Sequence, residues 1–222
     1  MKVLNLAFLI VALAAAAPAH GQETASALES QPKGWIDLFP SPDFKGWTRL
    51  SLPADKPLSQ PNQWKVDTAR GLLVCDGSGG HEWLRYDREL ADFIFHVEWR
   101  LVPKEGGKGY NSGVFMRNSA DGVIWHQAQV GSASGGFIFG DTPVGGKTQR
   151  INLRPQMTSM RVKPAGEWNT YEVTAKGRTL SVWVNGAVTS EFTECEVPRG
   201  YIGLEAEGWP IEFRNIKLKE LK

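Results

Sequence analysis

The chain has 222 residues, of which 41% are hydrophobic, and a formal net charge of +1. The hydrophobic content is sufficient for a large core, and the scattered lysines and arginines argue against nucleic acid or an anionic membrane surface as partner. Nine tryptophans are unusual in a chain of this length. Because a buried indole N–H needs a partner, so many tryptophans indicate that some of them line a groove.

The N-terminal residues have the pattern of a secretory signal peptide. Lys2 precedes an apolar run over residues 3–17, and small residues stand at Ala17 and Ala19. The run is shorter than the roughly 20 apolar residues that a membrane anchor usually needs. We therefore expect cleavage near Ala19 and a periplasmic or secreted protein.

This leader divides the chain into three predicted parts. They are a signal peptide over residues 1–19, a flexible tail over 20–33 and a single domain over 34–222. Export is compatible with pairing of the two cysteines, Cys75 and Cys195. Two separately buried thiols are the alternative, since sequence does not give the distance between them.

The rest of the chain repeats a pattern of strand, turn and strand. Residues 92–101 alternate apolar and polar side chains most clearly, and Asn185-Gly186 is the strongest hairpin signal. The glycine-rich segment 131–146 lacks a period, so we expect a mobile surface loop there. No segment predicts a helix. Short strands with turn signals at intervals of roughly 8–12 residues indicate a β-sandwich or barrel.

Residues 110–130 carry long polar side chains on predicted strand faces. They form two strands joined by an Asn-Ser-Ala-Asp-Gly turn over residues 118–122. Arg117 projects from one face of its strand, while Gln127 and Gln129 share a face of the next strand. Such a face suits a polar ligand, and a half-solvated sheet face is the alternative.

Two groups of ionisable residues on strand faces are candidates for proton transfer. Glu98 shares its face with His96 and Arg100, as either a site or a solvated ion-pair ladder. Glu205 and Glu207 also share a face, where like charges repel and raise one pKa. That arrangement suits general acid–base catalysis, and two surface glutamates are the alternative.

Trp183 and the absence of familiar catalytic motifs further limit the kinds of site that the sequence can contain. Trp183 stands among polar residues on its strand face, where it could stack on a sugar ring or form an interface. The sequence contains no zinc-protease, phosphate-binding or Gly-x-Ser-x-Gly motif. A lone histidine such as His81 is more often structural than a ligand.

Several blocks of sequence, in a fixed order over residues 35–221, resemble one protein family. The blocks are Trp35-Ile36-Asp37-Leu38-Phe39 with Gly46-Trp47, Asn111-Ser112-Gly113-Val114-Phe115-Met116-Arg117, Gln127-Ala128-Gln129, Glu167-Trp168-Asn169-Thr170-Tyr171, Val184-Asn185-Gly186, Gly203-Leu204-Glu205-Ala206-Glu207-Gly208 and Ile211-Glu212-Phe213-Arg214-Asn215-Ile216. Together they resemble the 3-keto-disaccharide hydrolase family, also known as domain of unknown function 1080. The resemblance implies an all-β, two-sheet antiparallel jelly roll like that of concanavalin-type lectins and glucanases, with its site on the concave face. It also implies an exported protein that cleaves glycosides oxidised at C3.

The chain departs from the family pattern in one place that matters. Many members carry Glu-x-Gln where this chain has Gln127-Ala128-Gln129, and a glutamine cannot act as a base. Glu205 and Glu207 stand where many members have Gln and His or Glu. Any role of the family glutamate is therefore lost or moved in this chain.

The resemblance implies a reaction in which the C3 ketone acidifies the C2 proton, the C1 substituent is eliminated and water adds. This chemistry needs a base, a group that stabilises the enolate and an acid. We expect Glu98 or Glu207 to be the base and Arg117 with Gln129 to stabilise the enolate. Glu205 is then the acid or a metal ligand.

The predicted partner is a carbohydrate of the 3-keto-glucoside type. The residues expected to bind it are His96, Asn111, Gln127, Gln129 and Trp183. No cofactor is required, although a divalent metal ion on the keto and hydroxyl oxygens is compatible with the chemistry. A non-catalytic carbohydrate-binding module is the alternative. A retaining glucanase of this fold takes its paired carboxylates from a Glu-x-Asp-x-x-Glu strand, and no Glu-x-Asp occurs here.

Overall fold

A computed structural model describes residues 23–222, and the strands within that range form two antiparallel sheets. The helices of the described range are α1 (Ala27–Ser30) and a 3-10 turn (Arg154–Gln156). The all-β prediction is confirmed. The predicted signal peptide over residues 1–19 lies outside the described residues. Within residues 23–222, no helix is long and apolar enough to cross a bilayer.

The strands are numbered in chain order. They are β1 (Ile36–Asp37), β2 (Trp47–Ser51), β3 (Trp64–Asp67), β4 (Leu72–Cys75), β5 (Glu82–Tyr86), β6 (Phe93–Leu101), β7 (Ser112–Asn118), β8 (Trp125–Gly131), β9 (Ser134–Val144), β10 (Lys147–Asn152), β11 (Asn169–Lys176), β12 (Thr179–Val184), β13 (Ala187–Phe192), β14 (Tyr201–Ala206) and β15 (Ile211–Glu220). Sheet 1 has the spatial order β13-β12-β11-β6-β15-β4-β3, with β1 paired to β15. Sheet 2 has the order β10-β9-β8-β7-β14-β5-β2.

The core lies between the two sheets and follows the alternation of the strands. On β6, Phe95, Val97 and Trp99 are no more than 1% exposed and belong to the core, whereas His96 and Glu98 point to the other face. Sheet 2 contributes apolar residues from the inward faces of β7, β8 and β14. Each sheet therefore has a separate outward face, and the two outward faces lie on opposite sides of the sandwich.

The hairpin signal at Asn185-Gly186 is confirmed. These residues join β12 to β13 with φ values of 42° and 110°, as a tight turn with left-handed backbone requires.

The mobile loop expected over residues 131–146 is wrong, because residues 134–144 form β9 between β8 and β10. Glycine in a strand often marks close approach of another backbone. At Gly140 a Cβ would lie 2.1 Å from the Trp125 carbonyl oxygen. The pairing of β9 with β8 therefore requires glycine at this position, although glycine weakens the strand pattern in the sequence.

The described part of the predicted flexible tail, residues 23–33, packs against the outward face of sheet 1. A capping box between Ser26 and Glu29 begins α1, which the short-strand pattern did not predict. The Glu172 carboxylate accepts hydrogen bonds from the backbone N–H groups of Ala27 and Leu28 at 2.6 and 2.9 Å. The tail is therefore attached to β11 by charge-assisted hydrogen bonds.

The two cysteines do not pair. Cys75 lies on β4 of sheet 1, Cys195 follows β13, and both are buried free thiols. Burial raises the pKa of the Cys75 thiol to about 12, which keeps it protonated. The alternative of two separately buried thiols is confirmed.

Candidate functional site

Sheet 2 turns alternate residues of β7, β8 and β14 outward, and some of them line a cleft of about 280 Å³. The loops that precede β5, follow β2 and join β7 to β8 complete the wall. The lining residues are Leu52, Pro53, His81, Phe115, Asn118, Gly122, Trp125, Gln127 and Glu205. Most of this surface is hydrocarbon, and its ionisable groups are His81 and Glu205. A few charged groups at an apolar cleft are typical of a small-molecule site.

A buried carboxylate and an imidazole form the charged end of the cleft. Glu205, on β14, is 3% exposed, and its Oε1 lies 2.7 Å from Nε2 of His81, whose side chain is 38% exposed. The neighbouring carboxylate is Glu207, just beyond the end of β14. Nitrogen and oxygen atoms of the three side chains all lie within 4.8 Å of one another.

This environment changes the protonation of the pair. Burial raises the pKa of Glu205 and the charge of Glu207 raises it further, against the opposing hydrogen bond to His81. For His81, burial alone lowers the pKa. The hydrogen bond to Glu205 and the charges of both carboxylates outweigh that effect, so the net pKa is raised. Both groups therefore retain a proton more readily than in water.

A chain of amide hydrogen bonds leads from the cleft to Glu207. Gln127 Nε2 donates to Gln129 Oε1 at 3.0 Å, and Gln129 Nε2 donates to Asn111 Oδ1 at 2.6 Å. Asn111 Nδ2 then donates to Glu207 Oε2 at 2.5 Å. Each amide is oriented by the next, so this network fixes the position of the Glu207 carboxylate.

Two glycines shape the surface beneath these side chains. A Cβ at Gly113 would lie 2.5 Å from the Gln127 side chain, and a Cβ at Gly203 would lie 2.6 Å from the Trp83 ring. Gln127 and Trp83 can therefore lie flat on the sheet. The Trp83 ring meets Phe115 edge-to-face, with ring centroids 5.4 Å apart, a favourable arrangement for an aromatic pair. These contacts make the base of the site rigid.

The core also supports the site from the opposite sheet. The hydroxyl of Tyr171, on β11 of sheet 1, crosses the core and donates to the backbone carbonyl of Gln129 at 2.8 Å. The pairing of β8 with β9 shifts register at this position, between Ala128 and Val130. Tyr171 thus ties β8 of sheet 2 to sheet 1 across the core.

Two buried polar atoms at the site have no hydrogen-bond partner within the described chain. They are Oε2 of Glu205 and Nε1 of Trp83. Buried polar groups are nearly always satisfied, so such atoms indicate a missing ligand group, proton or ion. One imidazole and two carboxylates also suit a divalent cation, and the unpartnered Glu205 oxygen fits that use.

Comparison with known proteins identifies the family. The sequence profile described as the 3-keto-alpha-glucoside-1,2-lyase-like domain matches residues 34–219 of this chain. The chain belongs to this family. The match covers the sandwich strands except for the last residue of β15 and includes every residue of the cleft. The resemblance inferred from the sequence blocks is thereby confirmed.

One named relative and two solved structures are similar to this member of the family. A protein of Bacteroides thetaiotaomicron named 3-keto-disaccharide hydrolase is 21% identical over 240 residues, which cover 85% of this chain and 79% of the relative. A structure from Parabacteroides distasonis, provisionally named a glycosyl hydrolase, has a TM-score of 0.62 at 18% identity and covers 91% of this chain and 100% of its own. The β-glucanase of Bacillus licheniformis has a TM-score of 0.56 at 13% identity, with 86% and 100% covered. The fold is therefore the jelly roll of the glucanase type.

Part of the predicted site is assembled in this 3-keto-alpha-glucoside-1,2-lyase-like domain. Sheet 2 brings together the predicted residues of β7, β8 and β14 and their flanks. These residues are Asn111, Gln127, Gln129, Glu205 and Glu207. The sequence predicts that Gln127 and Gln129 share one strand face and that Glu205 and Glu207 share another. These contacts are consistent with both predictions.

Three other predicted residues lie on the outward face of sheet 1, so the expected grouping is corrected. Glu98 accepts hydrogen bonds from Arg214 Nε at 2.7 Å and Asn215 Nδ2 at 2.5 Å, which is the ion-pair alternative. His96 Nδ1 lies 2.9 Å from Glu172 Oε1. The third of these residues, Trp183, donates through Nε1 to Thr24 Oγ1 at 2.9 Å beneath the N-terminal segment. The core of the sandwich separates all of these residues from the cleft.

Arg117 is also absent from the cleft, and its predicted role with the enolate is corrected. Its side chain is fully buried at one end of the sandwich. The guanidinium donates to the carbonyl oxygens of Ala91, Gly177 and Val197 at 2.7–3.0 Å and to Asp92 Oδ1 at 2.7 Å. Its φ of 50° places the β7 backbone in the left-handed region, so the simple alternation of faces ends there. The residue joins loops and does not contact the site.

Sequence analysis missed His81, Trp83 and Trp125. His81 was interpreted as a lone structural histidine, but it stands beside Glu205 in this domain. The sequence does contain one signal for this part of the site. His81 and Trp83 are two residues apart and share a face if they lie on one strand. Their partners come from β14, more than a hundred residues later, and no local pattern shows that pairing.

Proposed function

We propose that this protein is an exported enzyme that cleaves 3-keto-glycosides by C2 deprotonation, elimination and hydration. The observation that carries the proposal is the convergence of His81, Glu205 and Glu207 within 4.8 Å beside an apolar cleft. A base and an acid so close together suit an elimination across the adjacent carbons C1 and C2. The 1,2-lyase in the family description supports the same reaction class.

Glu207 is the base in this proposal. Of the two glutamates expected as base, Glu98 is bound to Arg214 on the other sheet, whereas Glu207 is oriented at the site by Asn111. The carboxylate takes the C2 proton. The electron pair of the C2–H bond becomes the enolate of the C3 ketone.

The pair of His81 and Glu205 is the acid. Both pKa values are raised, so the pair retains a proton to higher pH than the two groups would in water and can donate it to the leaving group. When the enolate returns to a ketone, the C1–O bond breaks and the departing oxygen takes this proton. The products of this step are the free aglycone and a C1–C2 alkene conjugated to the ketone.

Hydration completes the reaction by the reverse proton movements. A water oxygen bonds to C1, its proton returns to the pair of His81 and Glu205, and Glu207 gives its proton to C2. The enzyme then has its original protonation state. A divalent cation held by the same three side chains would take the place of the proton on the pair of His81 and Glu205. In that state the three side chains would be ligands and not acid and base, and the cation would supply Lewis-acid polarisation of the keto oxygen.

The decisive experiment compares a 3-keto-glucoside with its unoxidised parent. We expect the purified protein to release aglycone from the keto compound alone, and a substrate deuterated at C2 to exchange its label with solvent or to react more slowly. If the keto sugar binds but no aglycone appears, the protein is instead a carbohydrate-binding module on the same fold.

Export is the second part of the proposal. It is supported by the leader pattern before Ala19. N-terminal sequencing of protein from the native host should find a first residue near His20. An intact Met1 in the cytoplasm would contradict export without affecting the proposed reaction.

A further inference from the structure

We propose that the leaving group accepted by this site is a flat, apolar aglycone, such as a phenol or a benzylic alcohol, and not a second sugar. The inference rests on the proposed function, because it assigns the part of the cleft next to C1 of the sugar. It is carried by the division of the cleft into a polar part and an apolar part.

The polar part is small and is already used by the proposed reaction. Within the lining it consists of His81, Glu205 and Gln127, and the base Glu207 lies beside it. Asn118 adds one more polar side chain, but it is 1% exposed and its Oδ1 accepts the backbone N–H of His126 at 2.9 Å. These groups match the oxygens of one keto sugar and leave few donors for another.

The apolar part is continuous and joins two loops to the sheet. Leu52 and Pro53 follow β2, and Gly122 lies in the loop between β7 and β8, where a Cβ would be 3.1 Å from Leu52 Cδ2. Phe115 and Trp125 project from β7 and β8 into the same cleft. The hydroxyls of a second sugar would lose water against these residues without gaining hydrogen bonds, which is unfavourable.

The aromatic wall is held in place before any ligand arrives. Trp125 Nε1 donates to Asp141 Oδ2 at 3.1 Å, and its ring meets Phe139 edge-to-face with centroids 5.2 Å apart. The Arg150 guanidinium lies 5.4 Å from the centroid of the same ring. A rigid aromatic group binds a flat ligand with little loss of conformational entropy.

The volume of the cleft and the residues of its flanking loops also suit an aromatic group. An apolar cavity of about 150 Å³ holds benzene, and this cleft measures about 280 Å³. The two flanking loops carry large hydrophobic residues that are unusually exposed, Val123 at 65% and Leu58 at 36%.

The test compares leaving groups of similar chemistry. Benzyl alcohol and a sugar hydroxyl are both alcohols, so 3-keto-glucosides of benzyl alcohol and of glucose differ mainly in how the aglycone binds. We expect kcat/KM for the benzyl compound to be at least about tenfold higher, the effect of well-matched apolar contacts. Trp125→Ala should remove most of this preference. Trp183→Ala is the matched control, because it removes a tryptophan from the outward face of sheet 1.

Binding measurements separate this inference from the proposed reaction. The affinities of the benzyl and methyl 3-keto-glucosides are measured by calorimetry with the wild type and both variants. Tighter binding of the benzyl compound that Trp125→Ala abolishes supports the aglycone assignment even if neither compound is cleaved, a result that would overturn only the proposed reaction. Preferred cleavage of the glucose compound, or equal affinity for benzyl and methyl, overturns the aglycone assignment.

Discussion

His81 Nε2 and Glu205 Oε1 lie 2.7 Å apart, although 124 positions separate the two residues in the chain. The contact joins the segment before β5 to β14 and leaves Glu205 Oε2 buried without a partner in the described chain. A buried carboxylate in this state is unfavourable for folding and is often found where a group must exchange protons. The consequences can be measured in both activity and stability.

The base assignment predicts a contrast between two glutamates. Glu207→Gln should lower kcat for a 3-keto-glucoside by about 10²–10⁴-fold, the usual contribution of a general base. Glu98→Gln is the matched control and should leave kcat unchanged, because Glu98 lies on sheet 1 beside Arg214. Steady-state kinetics of both variants, with circular dichroism to confirm folding, make the comparison. A loss of activity in the Glu98 variant alone would reverse the assignment.

Glu205→Gln should stabilise the fold and reduce activity. Burial raises the pKa of Glu205 above its unfolded value, so the stability tied to its proton is present at low pH and is lost as pH rises through the folded pKa. Glutamine cannot lose a proton, so the gain in unfolding free energy over wild type should be small near pH 4 and larger near pH 8. Urea denaturation at both pH values measures it. If Glu205→Gln is less stable than the wild type at pH 8, the folded protein compensates the ionised Glu205 carboxylate for the cost of its burial.

Arg117→Met should destabilise the protein without a specific effect on the site. The fully buried guanidinium holds Asp92 and three carbonyl oxygens at one end of the sandwich. Breaking a buried, hydrogen-bonded ion pair costs about 3–5 kcal/mol. Denaturation curves give the cost, and the folded fraction should retain wild-type affinity for the 3-keto-glucoside. A stable variant with weakened ligand affinity would restore the role in the site that sequence analysis predicted.

The buried His126 should make the fold sensitive to acid. Burial lowers the pKa of His126 to about 4, and its ring nitrogens contact the Met116 carbonyl and the Thr142 hydroxyl. The stability that depends on neutral imidazole is complete above the unfolded pKa near 6.5 and is lost as pH falls toward the folded value. Between pH 7.5 and 5 the loss should be about 2 kcal/mol from this group, for a pKa of about 4. His126→Gln should show a correspondingly weaker pH dependence in urea denaturation, and equal slopes would rule out this source of acid sensitivity.

The cluster of His81, Glu205 and Glu207 should bind a divalent cation. We expect Mn²⁺ or Zn²⁺ to raise the Tm of protein treated with a chelator, because a ligand that binds only the folded state stabilises it. His81→Gln should remove the increase, while His96→Gln, on the other sheet, should retain it. An equal increase in both variants would place the cation elsewhere. If chelation leaves turnover unchanged, the protein's own side chains carry the reaction.

The sequence by itself determined the fold class, the family and the strands that have a clear two-residue period. The alternation over residues 92–101, the turn at Asn185-Gly186 and the paired faces of Gln127 with Gln129 are local properties. They follow from the two-residue period of a strand, which any adjacent residues must obey. The order of the motifs then identified the family, and with it the two-sheet jelly roll.

Only the tertiary structure decided which polar face belongs to the site. Both sheets bury one face and expose the other, so alternation cannot distinguish the outward face that carries Glu98 from the one that carries Glu205. Strand pairing makes that choice, since β14 lies between β7 and β5 while β6 lies between β11 and β15. Pairing depends on contacts between distant segments, which is why His81 joined the site and Trp183 did not.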